Sequence, residues 1–350
     1  MTDPHDAQAF KARIDDVLAR FTALEADQLL AIDPELRPVA DRVTAAVAEG
    51  KRLRAAFCYW GWRAAGQPDS DALVRVAASM ELVHAAAVVH DDLIDDSARR
   101  HGRPTTHVAL RAALHRGPRA AGAARALAML VGDLLMSLAG QLFTTSGLPA
   151  AYLGRARPLW ARLARDLIAG ECLEVLRTGT MGDTAASLQV VRYKTAKYTV
   201  EQPLLIGGAL AGAGERLSAG YSAFGLPLGE AFQLRDDLLG MFGDPARTGK
   251  DEGDDLRARR PTALLAETWR AADAAERGHL RALLGRRDLD ASDVARVREL
   301  MDRLGAPAAV ERMIADRVAE ATGVLAGLHI PASAARALTG LAHAATARGH

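Results

Sequence analysis

Apolar residues recur every three or four positions along almost the whole chain, as in Ile14, Val17, Leu18 and Phe21 or Leu73, Val76, Ala77 and Met80. That spacing collects them on one face of a helix, and the alternation that builds a half-buried strand is hardly seen. The pattern predicts an all-α protein. Ala, Leu and Arg favour helices, while Gly or Pro clusters near 66–68, 102–104, 117–118, 147–149, 179–182, 243–245 and 305–307 divide the chain into about a dozen helical segments. No long linker and no internal repeat separates them, so residues 1–350 are expected to form a single large helical domain.

Composition narrows the partners. With 44 basic and 43 acidic side chains, net +1, no global field recruits nucleic acid or an acidic membrane. The longest apolar run, residues 203–214, falls short of the roughly 20 residues that span a bilayer, so no transmembrane anchor is expected. The opening "MTDPHDAQAFKARIDD" lacks the basic start and apolar core of a signal peptide, which predicts a cytoplasmic enzyme. Cys58 and Cys172 are far apart and read as reduced core thiols, without disulfide or zinc spacing.

The chemistry concentrates in "HDDLIDDSARRHGRPTTH", residues 90–107. Residues 70–96 read as one helix, in which Asp91 and Asp95, and likewise Asp92 and Asp96, are i,i+4 neighbours on adjacent strips. In a pocket, at about 6 Å and an effective dielectric near 20, each such pair repels by roughly 3 kcal/mol. A solvated helix end, where the cost is only a few tenths of a kcal/mol, is the competing reading. The apolar approach "ELVHAAAVV" favours a cavity wall. Hard carboxylate oxygens suit Mg²⁺, which binds a few carboxylates together with the oxygens of a substrate phosphate. "GEAFQLRDDLLGMFGD", residues 229–244, ends a second apolar helix with Asp236 and Asp237. Two acidic helix ends facing one cavity would clamp a diphosphate through bridging metal ions.

These residues resemble the trans-isoprenyl diphosphate synthases, the polyprenyl synthetase family, and among them the bacterial geranylgeranyl diphosphate synthases. "DDLIDDSARRHGRPT" is similar to the first aspartate-rich motif and "GEAFQLRDD" to the second. "GKRLR" (50–54), "YKTAKYT" (193–199) and "TGKDEGDDLRARRPT" (248–262) resemble the basic signature, the Lys-Thr motif and the basic flap. The resemblance implies a cavity walled by helices and a chain-elongating transferase with Mg²⁺ as cofactor and isopentenyl and allylic prenyl diphosphates as substrates. Asp91, Asp92, Asp95, Asp236 and Asp237 would hold metal. Arg100, Lys194, Lys250 and Arg260 would hold the allylic diphosphate, and Lys51, Arg54, His84 and His101 the isopentenyl diphosphate. Lys194, Thr195 and Gln233 would serve the ionisation, the last two through oxygen dipoles near the developing cation. A homodimer is expected from the same likeness.

Three departures stand out. His101 replaces the second arginine after the first motif, so its charge depends on pH near neutrality. Gly240 stands where a third aspartate would close the second motif, with Asp244 further on, and Glu49 replaces a glycine before the basic signature. Glu171 and Glu174 in "GECLEV" lie where relatives carry polar residues near the pocket, and are left out of the candidate set. Rival readings are a terpene cyclase acting on a preformed prenyl diphosphate, a catalytically weak subunit of a heteromeric synthase, and a metal-dependent phosphohydrolase built on His90 and Asp91. Retention of Lys51, Arg54 and His84 and the lack of asparagine argue against the cyclase, retention of both acidic clusters against the weak subunit, and the want of a second set of His and Asp ligands against the phosphohydrolase. Each helical turn before Asp91 spans about one isoprene unit. Ala86 and Ala87 leave that wall open, and Val83, Met136 or Phe143 would close it further down, which predicts a C20 product.

Overall fold

The computed structural model describes residues 4–100, 102–114, 117, 119–180, 183–243, 253–286 and 289–346. These are helical almost throughout, as the periodicity predicts. The chain runs through α1 (Pro4–Ile32), α2 (Arg37–Ala45), α3 (Leu53–Ala64) and α4 (Asp71–Ile94) into a short hairpin, β1 (Arg99–Arg100) and β2 (Arg103–Pro104). Then follow α5 (Thr106–Ala113), α6 (Ala120–Thr144), α7 (Ala150–Arg177), α8 (Thr184–Val190) and a π-helix (Val191–Glu201). After it come α9 (Gln202–Ala211), α10 (Glu215–Phe242), α11 (Asp254–Arg257), α12 (Ala263–Ala271), α13 (Ala274–Leu284), α14 (Ala291–Arg303), α15 (Ala306–Gly327) and α16 (Ala332–Thr346). Two compact units result: residues 1–160, 203–218 and 329–338 form the first, and 161–202, 219–328 and 339–350 the second.

In the first unit α1 buries Phe10, Ile14 and Leu18, one residue per turn, and packs on α2 and α4. Helix α3 is buried along nearly its whole length, including Trp60 and Trp62. It approaches α9 through facing glycines: a Cβ at Gly61 would lie 2.3 Å from the Leu204 carbonyl oxygen, and one at Gly207 2.0 Å from that of Cys58. Burial pushes the Cys58 thiol up to about 12, whereas Cys172, expected in the core, is exposed on α7 between Glu171 and Glu174. Ser70 caps α4, and α4 lies along α6. Both helices are long and apolar enough to cross a membrane, which the run-length argument missed because isolated polar residues interrupt them. In α4 that apolar window is 72% buried inside the protein.

In the second unit Leu234, Leu238, Leu264, Leu280, Val297 and Val310 belong to one apolar core. Side-chain caps start its helices: Thr262 for α12, Asp290 for α14, and for α13 a reciprocal capping box between Asp273 and Glu276. The π-helix was not anticipated from sequence. Glycines on its neighbours let it approach closely: a Cβ at Gly170 on α7 would stand 2.2 Å from the Lys194 nitrogen, and one at Gly229 on α10 2.5 Å from the Ala196 Cα.

Candidate active site

The first acidic motif ends α4. Asp91 and Asp92 are in its last turn, and Asp95 caps it, its N–H donating to the Asp91 carbonyl at 2.9 Å. The expected helix over 70–96 thus ends at Ile94, because Asp96 turns to φ +55°. That separates the fourth carboxylate from the other three: Asp96 accepts from Arg125 of α6 at 2.5 Å and lies 3.6 Å from His107. The hairpin returns Arg100 over the helix end. Its Nε donates to Asp92 at 2.7 Å and its Nη2 to Asp91 at 2.8 Å, so one planar cation spans two adjacent carboxylates.

The basic signature fills the turn before α3. Lys51 is exposed, while Arg52 and Arg54 are buried, which rules out a simple solvated helix start. The Ala55 N–H in the first turn donates to the buried Glu81 carboxylate of α4 at 2.9 Å. On α4, His84 and Ala87 are half-buried and lie one or two turns before Asp91, whereas Val83 and Ala86 are fully covered. Phe143 is buried and stacks on Trp160 at 4.4 Å.

In the second unit the π-helix presents Lys194 to α7, where its ammonium pairs with Glu171 at 3.1 Å and with Glu174. Thr195 donates its hydroxyl to Gln233 Oε1 at 2.8 Å, and Gln233 Nε2 donates to Asp237 Oδ1 at 2.7 Å. Asp237 is buried, and its carboxyl is pushed well above the ordinary range by burial first, then by the nearby charges of Asp255, Asp236 and Glu174. Arg260 donates to Asp255 at 3.0 Å and reaches to 3.9 Å from Glu174. Asp237, Gly240, Asp255 and Arg260 line a small cleft at the end of α10.

The sequence profile of the polyprenyl synthetase family matches residues 36–301. The chain belongs to this family. Its members with related sequences include the (2E,6E)-farnesyl diphosphate synthase of Mycobacterium tuberculosis, 31% identical over 89% of this chain and 86% of that protein. A geranylgeranyl diphosphate synthase of the same organism is 32% identical over 82% of this chain and 77% of its own length. Among solved structures, the geranylgeranyl pyrophosphate synthase of Corynebacterium glutamicum, in complex with isoprenyl diphosphate and magnesium, superposes with a TM-score of 0.92. It is 31% identical, with 97% of this chain and 99% of that one covered.

As a polyprenyl synthetase the chain is a prenyltransferase with an all-α fold. Of the candidate residues, the structure brings Arg100 to Asp91 and Asp92, and Thr195 to Gln233. His101, Lys250 and Asp244 lie outside the described residues. Glu171 and Glu174, omitted from the candidates, are the carboxylate partners of Lys194. Their i,i+3 spacing was a signal, since it sets both on one helix face. Both acidic ends fit a hard divalent cation. Their donors are carboxylate oxygens, and beyond burial, the larger cause, the charges of Asp255, Asp236 and Glu174 that help to raise the Asp237 pKa are ones a bound cation would offset.

Proposed function

We propose that this polyprenyl synthetase condenses isopentenyl diphosphate with an allylic diphosphate, with Mg²⁺ as cofactor, and releases geranylgeranyl diphosphate. The observation that carries the reading is Arg100 spanning Asp91 and Asp92: carboxylates for a metal and a cation for a phosphate are assembled at one helix end. In the first unit Asp91, Asp92 and Asp95 serve as metal ligands, Arg100 as a counterion for the allylic diphosphate, and Lys51, Arg54, His84 and His101 as ligands of the isopentenyl diphosphate. In the second, Asp236 and Asp237 are metal ligands, and Lys194, Lys250 and Arg260 serve the allylic diphosphate. Mg²⁺, when bound, supplies Lewis-acid neutralisation of the leaving diphosphate.

The residues then divide the work. The cations stabilise charge on the departing diphosphate as the allylic C–O bond ionises. Thr195 commits its proton to Gln233, which leaves the hydroxyl lone pairs as the polarity suited to a neighbouring carbocation. The isopentenyl double bond attacks that cation, a C–C bond forms, and the released diphosphate accepts the proton lost from the adjacent carbon. Holding the two substrates in register converts an encounter into an intramolecular step. The small, half-buried side chain of Ala87 supports a C20 product, whereas Ala86 is fully covered, and the exposed apolar Met129 and Leu130 on α6 support a homodimer.

The test is incubation of purified protein and Mg²⁺ with labelled isopentenyl diphosphate and each of the C5, C10 and C15 allylic diphosphates, followed by chromatography of the dephosphorylated products. A C20 alcohol is expected. Shorter or longer alcohols overturn the chain length alone. Absence of elongation overturns the synthase, and hydrocarbons formed from geranylgeranyl diphosphate alone indicate a cyclase.

A further inference from the structure

Lys51 and Arg54 are separated by a residue that points elsewhere. Arg52 adopts φ +56° and ψ 36°, a left-handed conformation that L side chains rarely take, and stands at the N-cap of α3. Its side chain is only 4% exposed. Nε donates to Asp15 Oδ1 of α1 at 2.7 Å, Nη1 to the Glu49 carbonyl at 3.0 Å and Nη2 to the Val47 carbonyl at 2.6 Å. Gly50, at φ +145°, passes so close that a Cβ there would lie 3.0 Å from Nη1. The turn is therefore wrapped round one guanidinium, which satisfies two backbone carbonyls and fastens them to α1. Only a planar fork with donors in several fixed directions can do this; an ammonium directs its donors from one point.

The rest of the turn follows from that anchor. The Arg52 carbonyl accepts the Ala56 N–H at 3.0 Å, which starts α3 and sets Arg54 in its first turn, while Lys51 is left on the exposed side. We propose that Arg52, anchored by Asp15, is a positioning residue: it sets the turn from which Lys51 and Arg54 reach the diphosphate of isopentenyl diphosphate. This rests on the assignment of Lys51 and Arg54 made above.

Three variants test it. Arg52→Gly relaxes the left-handed φ but removes the guanidinium, Arg52→Lys keeps the charge without the fork, and Asp15→Asn keeps the shape but removes the anchoring charge. With the two substrates varied separately, KM for isopentenyl diphosphate is expected to rise about tenfold in Arg52→Gly and less in the other two. KM for the allylic substrate and kcat should stay within about twofold. The rise in melting temperature induced by isopentenyl diphosphate, measured without turnover, should shrink in the same order. Glu49→Gln, which removes only the exposed ion pair with Arg103, is the control and should match the wild type.

Equal rises in both KM values, or an unchanged isopentenyl diphosphate KM in folded protein, overturn the proposal. Should Arg52→Gly fail to fold, Asp15→Asn is judged by the same criteria. A wild type that binds isopentenyl diphosphate but elongates nothing overturns the proposed function and leaves the positioning role to the melting shifts.

Discussion

Gly240 stands where a third aspartate would complete the second acidic motif, and the space beside it is already taken. A Cβ there would lie 3.0 Å from Asp255 Oδ2, a carboxylate brought in by α11 and held by Arg260. Gly240→Asp would press two carboxylates together, at an expected cost of about 1–3 kcal/mol in stability without metal. Adding Asp255→Ala should recover much of that loss, with a coupling of about 0.5–3 kcal/mol in a double-mutant cycle of melting curves. Additive effects would show that the two positions do not share one place. The gap at 240 was legible in the sequence; its neighbour was not, because Asp255 reaches it only through the fold. The same holds for Lys194, whose partners Glu171 and Glu174 are a helix away. Asp91, Asp92 and Arg100 lie within ten residues of one another, and only the end of α4 and the turn after it separate them.

At the scale of elements, helix existence followed from apolar periodicity, but helix ends and helix type did not. Nothing at Asp95 or Asp96 announces a stop in the manner of Gly or Pro, and the chain turns there through the φ of Asp96 itself. The π-helix over "VRYKTAKYTVE" differs from an α-helix by one residue per hydrogen-bonded turn, a change that periodicity over eleven residues cannot resolve. Its position depends on Gly170, where an added methyl would meet the Lys194 and Tyr193 backbone rather than a movable side chain. Gly170→Ala should therefore lower kcat at least about tenfold by displacing Lys194 and Thr195. Gly154→Ala, also on α7 but with nothing within 4 Å of the new carbon, should keep full activity and gain up to about 1 kcal/mol in stability. Equal effects of the two variants would show that the close approach at Gly170 has no bearing on catalysis.

For the molecule as a whole, ligands that bind only the folded state stabilise it by mass action, about 2.7 kcal/mol at a hundredfold excess over Kd. Mg²⁺ with inorganic diphosphate should raise the melting temperature more than either alone, and a chelator should reverse the gain. The absence of any shift with both present would remove the metal from the reading. The make-up of the first unit bears on how the protein is born. It is assembled from residues 1–160, 203–218 and 329–338, and its buried α3 meets α9 through Gly61 and Gly207. At a ribosomal rate of about 5–20 residues per second, α3 waits on the order of ten seconds for α9 to be made. The apolar α4 emerges in that interval, and the unit's last stretch, residues 329–338, arrives more than a hundred residues after α9. The nascent chain thus carries an apolar helix whose unit is still incomplete, and a stop codon before residue 329 would remove part of the unit that was translated first.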